Sequence, residues 1–171
     1  MLSPAQLLQE FITLWVVIDP IGTLPVFLAV TAGMSAGQRR AVAIRAVVVS
    51  FVVLTLFIVL GQVVLDALGL ALPAFQIAGG IVLFLFALTM IFGHSKPEEE
   101  IAEAERVRQT SVFPVAIPSI ASPGAMLTVV ILTDNDRFAL THQAMTTALM
   151  ALVLAVTLAI LLAASPPLRV M

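Results

Sequence analysis

Five stretches of this chain are each long and apolar enough to cross a lipid bilayer as a helix. They run from about Leu7 to Thr31, Ala41 to Leu65, Leu72 to Phe92, Val112 to Leu132 and Gln143 to Ala164. The hydrocarbon core of a bilayer is about 30 Å thick, a distance that roughly 20 helical residues span. Inside it only helices and closed barrels satisfy every backbone N–H and C=O. The five stretches lack the strict alternation of a barrel strand. The expected fold is therefore all-α, a polytopic membrane helix bundle forming one transmembrane domain over residues 1–171. Composition agrees: 61% of residues are hydrophobic and 11% charged, where soluble domains sit near one half and one quarter.

Several function classes drop out on the same grounds. The chain has no cysteine, which removes disulfides, thiolate metal sites and thiol catalysis. No basic tail or stripe supports nucleic-acid binding. His94 and His142 lie at span ends with no acidic or second His partner at ligand spacing, so no metal or other cofactor is expected. No HExxH, P-loop or GxSxG motif is present, and no enzyme activity is expected. Residues 1–10 carry no Lys or Arg, and Glu10 stands just before the apolar run. The first segment therefore reads as a retained span rather than a signal peptide.

Loop charges orient the bundle. With the N-terminus outside, seven of the eight basic residues (Arg39, Arg40, Arg45, Lys96, Arg106, Arg108 and Arg169) fall on the cytoplasmic side, leaving Arg137 opposite. The cytoplasmic loop of residues 93–111 contains Ser95-Lys96-Pro97-Glu98, which reads as a capping box opening a short surface helix. Glu98, Glu99 and Glu100 sit at its positive end and Arg106 and Arg108 at its negative end.

The first span is interrupted by Asp19-Pro20-Ile21-Gly22, with Pro25 following. A proline inside a helix removes a donor and clashes with the preceding turn. A carboxylate at mid-span is costly unless paired or hydrated. Asp19 thus reads either as a group lining a solute or proton path, or as the N-cap of a half-helix restarting at Pro20. The two roles are compatible. The fourth span is interrupted in the same way, by Pro114, Pro118, Ser119, Ser122, Pro123 and Gly124. Pro20 and Pro123 are offset by 103 residues, and the same offset carries Val42 onto Met145 and Asp66 onto Arg169. It would carry Pro73 beyond Met171. The pattern is a three-helix repeat, the first copy over about 7–92 and an incomplete second over about 112–171. An odd number of crossings makes the second copy enter the membrane inverted. Interrupted spans at matching positions of two inverted halves point to a transporter site. Half-helix N-termini there suit an anionic group such as a carboxylate. In span three, Gln76, Gly79 and Gly80 read as helix-packing residues, with direct solute contact the alternative for Gln76. Thr23, Thr128 and Thr89 read as hydroxyls bonded back to their own helices.

Three of these stretches, Val17-Ile18-Asp19-Pro20-Ile21-Gly22-Thr23-Leu24-Pro25-Val26-Phe27, Phe75-Gln76-Ile77-Ala78-Gly79-Gly80-Ile81 and Phe113-Pro114-Val115-Ala116-Ile117-Pro118-Ser119-Ile120-Ala121-Ser122-Pro123-Gly124-Ala125, together resemble the MarC family. These are bacterial and archaeal inner-membrane proteins, also called the neutral amino acid transporter family. The resemblance implies six helices in two inverted repeats and secondary transport of small zwitterionic amino acids such as glycine, alanine, serine or threonine. Coupling would be to an ion gradient, of protons or sodium, and a homo-oligomer is compatible with it. Carried over by position, the substrate site would join Asp19, Pro20, Gly22 and Thr23 to Ser119, Ser122, Pro123 and Gly124. Two departures stand out. Ser122 occupies a place where glycine is more often expected, and the sequence stops before a sixth helix. The alternatives to a transporter are a non-transporting scaffold or accessory subunit, and a channel.

Overall fold

A computed structural model describes residues 3–92, 115–133 and 140–164. The surface helix expected within 93–111, Arg137 and Arg169 lie outside the described residues. Every described element is helical: α1 (Pro4–Ile18), α2 (Pro20–Val30), α3 (Ala36–Ala67), α4 (Leu72–Phe92), a π-helical segment α5 (Val115–Ile120), α6 (Pro123–Leu132) and α7 (Leu140–Ala163). Three stretches, Pro4–Val30, Ala36–Gly61 and Thr141–Ala163, are long and apolar enough to span a membrane, and Pro73–Val82 and Pro123–Leu132 form shorter apolar helices.

Helices α1 and α3 begin ahead of their apolar runs because each has a capping box. Gln6 N–H donates to Ser3 Oγ at 3.3 Å, and Ser3 N–H donates to Gln6 Oε1 at 2.8 Å. Ser35 and Gln38 repeat the exchange at 3.4 and 2.9 Å. Each pair satisfies two orphan donors of a helix start. At 1.5 Å per residue, the 32 residues of α3 reach about 48 Å, more than the hydrocarbon needs.

The described bundle buries a set of small polar side chains within an apolar core, and its outer faces are apolar. Val48, Val52, Leu56, Val59 and Val63 of α3 form an exposed apolar stripe. The opposite face of α3 buries Ala43, Ala46, Ser50, Leu54 and Ile58. Thr23, Thr31, Ser119, Thr146 and Thr157 are also fully buried. A helix that is apolar on its outer face has lipid as its natural solvent. Small residues then let backbones approach: Ala43, Ala46, Ala116, Ala121 and Ala125 have no exposed surface. A methyl group on Gly61 would meet Val130 at 2.5 Å. α3 packs on α5, α6 and α7; α1 packs on α6 and α7; α2 packs on α5 and α7; α4 packs on α6.

One expectation needs correcting. Pro25 does not contribute to the interruption of the first span, because α2 runs through it from Pro20 to Val30. Its ring is exposed. The carbonyl it leaves without a donor is that of Ile21, in the first turn of a helix that starts afresh at Pro20.

Candidate functional site: two facing helix breaks

The first break is one residue wide. Asp19 takes the left-handed conformation, φ 49° and ψ 68°, which costs most residues about 1–2 kcal/mol but is tolerated by Asp and Asn. Its carboxylate accepts the Gly22 N–H at 2.9 Å. Its carbonyl accepts the Thr23 N–H at 3.1 Å and the Thr23 hydroxyl at 3.0 Å. A Cβ at Gly22 would run into the Asp19 carboxylate, so glycine lets the cap fold over the turn.

The second break is wider. Ile117 is extended at φ −132° and ψ 122°, and the Ala121 N–H reaches back five residues to the Ala116 carbonyl at 2.9 Å. Ser122 then caps α6, accepting the Ala125 N–H on Oγ at 3.1 Å. Asp19 and Ser122 thus use the same device at positions one before the prolines of the 103-residue offset. Each precedes a proline at the first helical position and accepts an N–H from three residues on.

The two breaks touch. The Ser119 hydroxyl donates to Thr23 Oγ1 at 3.1 Å, and the Thr23 hydroxyl in turn donates to the Asp19 carbonyl. The Ser122 hydroxyl donates to the Val17 carbonyl at 3.3 Å, in the last turn of α1, while accepting from its own helix. α3 joins through Ser50, whose hydroxyl lies 2.9 Å from the Ala46 carbonyl and 3.2 Å from the Ala116 carbonyl. The contacts run crosswise, with α1 on α6 and α2 on α5. Thr23 and Ser119 are in direct contact, so no solute-sized polar gap separates them in this form. Beside them, Phe57, Phe75, Gly79, Pro123, Met126 and Leu127 line an apolar cleft of about 360 Å³.

Asp19, Thr23, Ser119 and Ser122 therefore meet at the crossing. Gly22 shapes the first cap, Pro20 is buried behind it, Gly124 is half-buried and Pro123 is exposed toward the cleft. On α4, Gly79 is buried against Leu127 and Gln76 is half-buried. Gly80 is exposed, with open space where a Cβ would stand, so it packs against none of the described residues.

A second polar cluster escapes the sequence reading and corrects it. Glu10 lies inside α1 and is buried. His142 does have an acidic partner: its Nε2 is 3.2 Å from Glu10 Oε1 and 3.0 Å from the Leu132 carbonyl. Thr146 donates to Glu10 Oε2 at 2.9 Å. The signal was present as periodicity. Glu10 stands four and eight residues before Leu14 and Ile18 on the buried face of α1. His142 and Thr146 open the stripe that continues through Met150, Val153, Thr157 and Leu161 of α7. The pairing of those two stripes was not readable from either alone.

Residues 5–171 match the sequence profile of the MarC family integral membrane proteins. The chain belongs to the MarC family. It is 35% identical over 126 residues to a UPF0056 membrane protein of Archaeoglobus fulgidus, covering 72% of this chain and 59% of the relative. It is 34% identical over 128 residues to one of Aquifex aeolicus, covering 72% and 60%. The UPF0056 membrane protein YvbG of Bacillus subtilis is 34% identical over 132 residues, covering 74% of this chain and 63% of its own. The chain thus spans about three-fifths of the length of the family relatives it matches. No solved structure matches it. Membership and apolar helices together make this an integral membrane protein.

Proposed function

We propose that this MarC chain belongs to a secondary transporter of small neutral amino acids, of the glycine, alanine, serine and threonine class. It would sit in the bacterial or archaeal inner membrane with its N-terminus outside, work by alternating access and carry out no covalent chemistry. The observation that carries this reading is the contact between two capped helix breaks at repeat-related positions, through Thr23–Ser119 and Ser122–Val17. Broken spans at matching positions are where inverted-repeat transporters hold solute. Parting the two breaks would uncover, at one place, two half-helix N-termini and the Asp19 carboxylate. The former suit a substrate carboxylate and the latter an ammonium group. The direct contact at the crossing then corresponds to a closed form.

Uptake of labelled glycine, alanine and threonine into proteoliposomes, with and without an imposed proton or sodium gradient, tests the proposal. Saturable, gradient-dependent flux that unlabelled zwitterions compete away is expected. Folded protein that gives neither flux nor counterflow would overturn it and favour the second reading, a non-transporting scaffold. The direct, gap-free contact of the breaks is the observation on that side.

A further inference from the structure

The Glu10–His142 cluster lies apart from the helix breaks. Glu10 is nine residues before Asp19, about 13 Å along the helix axis. The cluster nevertheless shares both of its rods with the breaks. α1 touches α6 at one end through Val17 and the cap Ser122. At the other end, His142 of α7 holds α1 through Glu10 and α6 through the carbonyl of Leu132, its last residue. The neighbouring Gln143 takes the next carbonyl of that corner, Thr133, at 3.4 Å. α6 is thus fastened to α1 at both ends, by a serine at the break and by a titratable pair at the far end.

The protonation geometry is defined. His142 Nε2 faces two acceptors, a carbonyl and a carboxylate oxygen, so it carries hydrogen. A further proton on the ring goes to Nδ1 and turns the contact into an ion pair. A proton on Glu10 instead removes the charge that holds the ring. Thr146 supplies the hydrogen bond that fixes the second carboxylate oxygen. α6 and α7, the elements packed on α1 here, contribute no other described titratable group facing the pair. Arg39, Arg40 and Arg45 open α3 beyond the far end of the first span, and Asp66 closes α3. A carboxylate and an imidazole buried together in a membrane bundle are costly and characteristic of proton paths.

We propose that Glu10 and His142 form a proton-binding site, and that its proton is the one coupled to solute movement, the pair clasping α1 to α6 in one protonation state and releasing α6 in the other. The coupling half of this inference rests on the transporter reading; the proton site itself does not. Trp15, the only tryptophan of the chain, is the probe: it lies on α1 five residues beyond Glu10 and packs on Phe11, the residue next to Glu10, with ring centroids 6.0 Å apart.

The test has two arms. In the first, Trp15 fluorescence of the purified full chain in detergent is followed from about pH 4 to pH 10. A titration step is expected, and it is lost in both Glu10→Gln and His142→Gln. Gln keeps hydrogen-bonding capacity at each position, and Thr146→Val serves as a third variant, which should shift the step without abolishing it. A step that persists unchanged in Glu10→Gln and His142→Gln overturns the proton site, as does its absence from the wild-type chain. In the second arm, proteoliposome uptake driven by a pH gradient is compared with counterflow in the same vesicles. Glu10→Gln should lower the ratio of the two at least tenfold. An unchanged ratio overturns the coupling role. If the wild-type chain shows no counterflow, the transport reading fails, and the fluorescence arm alone decides the proton site.

Discussion

Asp19 is the residue at which sequence and structure argue most directly. The sequence allows it to line a solute path and to cap a helix at once. The structure shows the cap: left-handed backbone, carboxylate on the Gly22 N–H, carbonyl accepting from Thr23. That role separates its substitutions. Asparagine keeps a capping oxygen and tolerates φ 49°, so Asp19→Asn should cost less than about 0.5 kcal/mol. Glycine keeps the backbone and loses the side-chain acceptor, a few tenths to about 1 kcal/mol. Alanine loses the acceptor and pays the left-handed strain, about 2–3 kcal/mol together. The expected order of thermal midpoints in detergent is therefore Asn, then Gly, then Ala. An Asp19→Ala protein as stable as Asp19→Asn would show that the carboxylate does not hold the break. Glu10 teaches the complementary lesson. Read by its neighbours in sequence it is the polar edge of an apolar run, yet its spacing to Leu14 and Ile18 places it on the buried stripe of α1.

At the scale of elements, hydropathy located the described apolar helices, but their ends and interruptions followed local chemistry. α1 and α3 start where Ser3 and Ser35 meet a glutamine three residues on, a short motif that apolar windows overlook. Proline alone did not locate the breaks, since Pro25 passes inside α2 while Asp19 and Ser122, one residue ahead of prolines, end and restart the chain. What proline could not reveal was the partner of each freed group, because Val17, Ser50 and Thr23 lie on other elements than the residues they serve. Ser122 makes this testable. Where the family resemblance suggested glycine, serine both caps α6 and ties it to α1. Ser122→Gly and Ser122→Ala both remove the two hydrogen bonds and leave the buried Ala125 N–H without its side-chain acceptor, but glycine is a far better N-cap residue than alanine. Ser122→Ala should lose about 1–2 kcal/mol and Ser122→Gly distinctly less. Amide hydrogen exchange is the sharper readout: Ala125 should lose protection in Ser122→Ala, and unchanged exchange there would mean that the cap contributes nothing.

Across the whole molecule, the polar residues of three helices gather on one crossing while the outer faces stay apolar, an arrangement that fixes which parts can move. α2 and α5 meet through two hydroxyls, Thr23 and Ser119, fully buried and 3.1 Å apart. A hydrogen bond between neutral hydroxyls contributes only about 1 kcal/mol net, so this contact can open and close at little cost. Aliphatic packing such as Leu54 and Leu154 in the common core offers no such hinge. Alternating access at the breaks therefore requires Thr23 and Ser119 to part in each cycle. The chain has no cysteine, which allows a direct test. Thr23→Cys combined with Ser119→Cys places two sulfurs where the oxygens now stand, about 1 Å from bonding distance. Mild oxidation should join them, and failure to do so in folded protein would contradict the contact itself. If solute passes between the breaks, the cross-linked protein should lose at least nine-tenths of its flux and regain it with a thiol reductant, while each single variant keeps its flux under the same oxidation. Transport that continues through the disulfide would mean that α2 and α5 travel as one body, and the moving boundary would then lie elsewhere, with the α1–α6 contact held by Ser122 and His142 next in line.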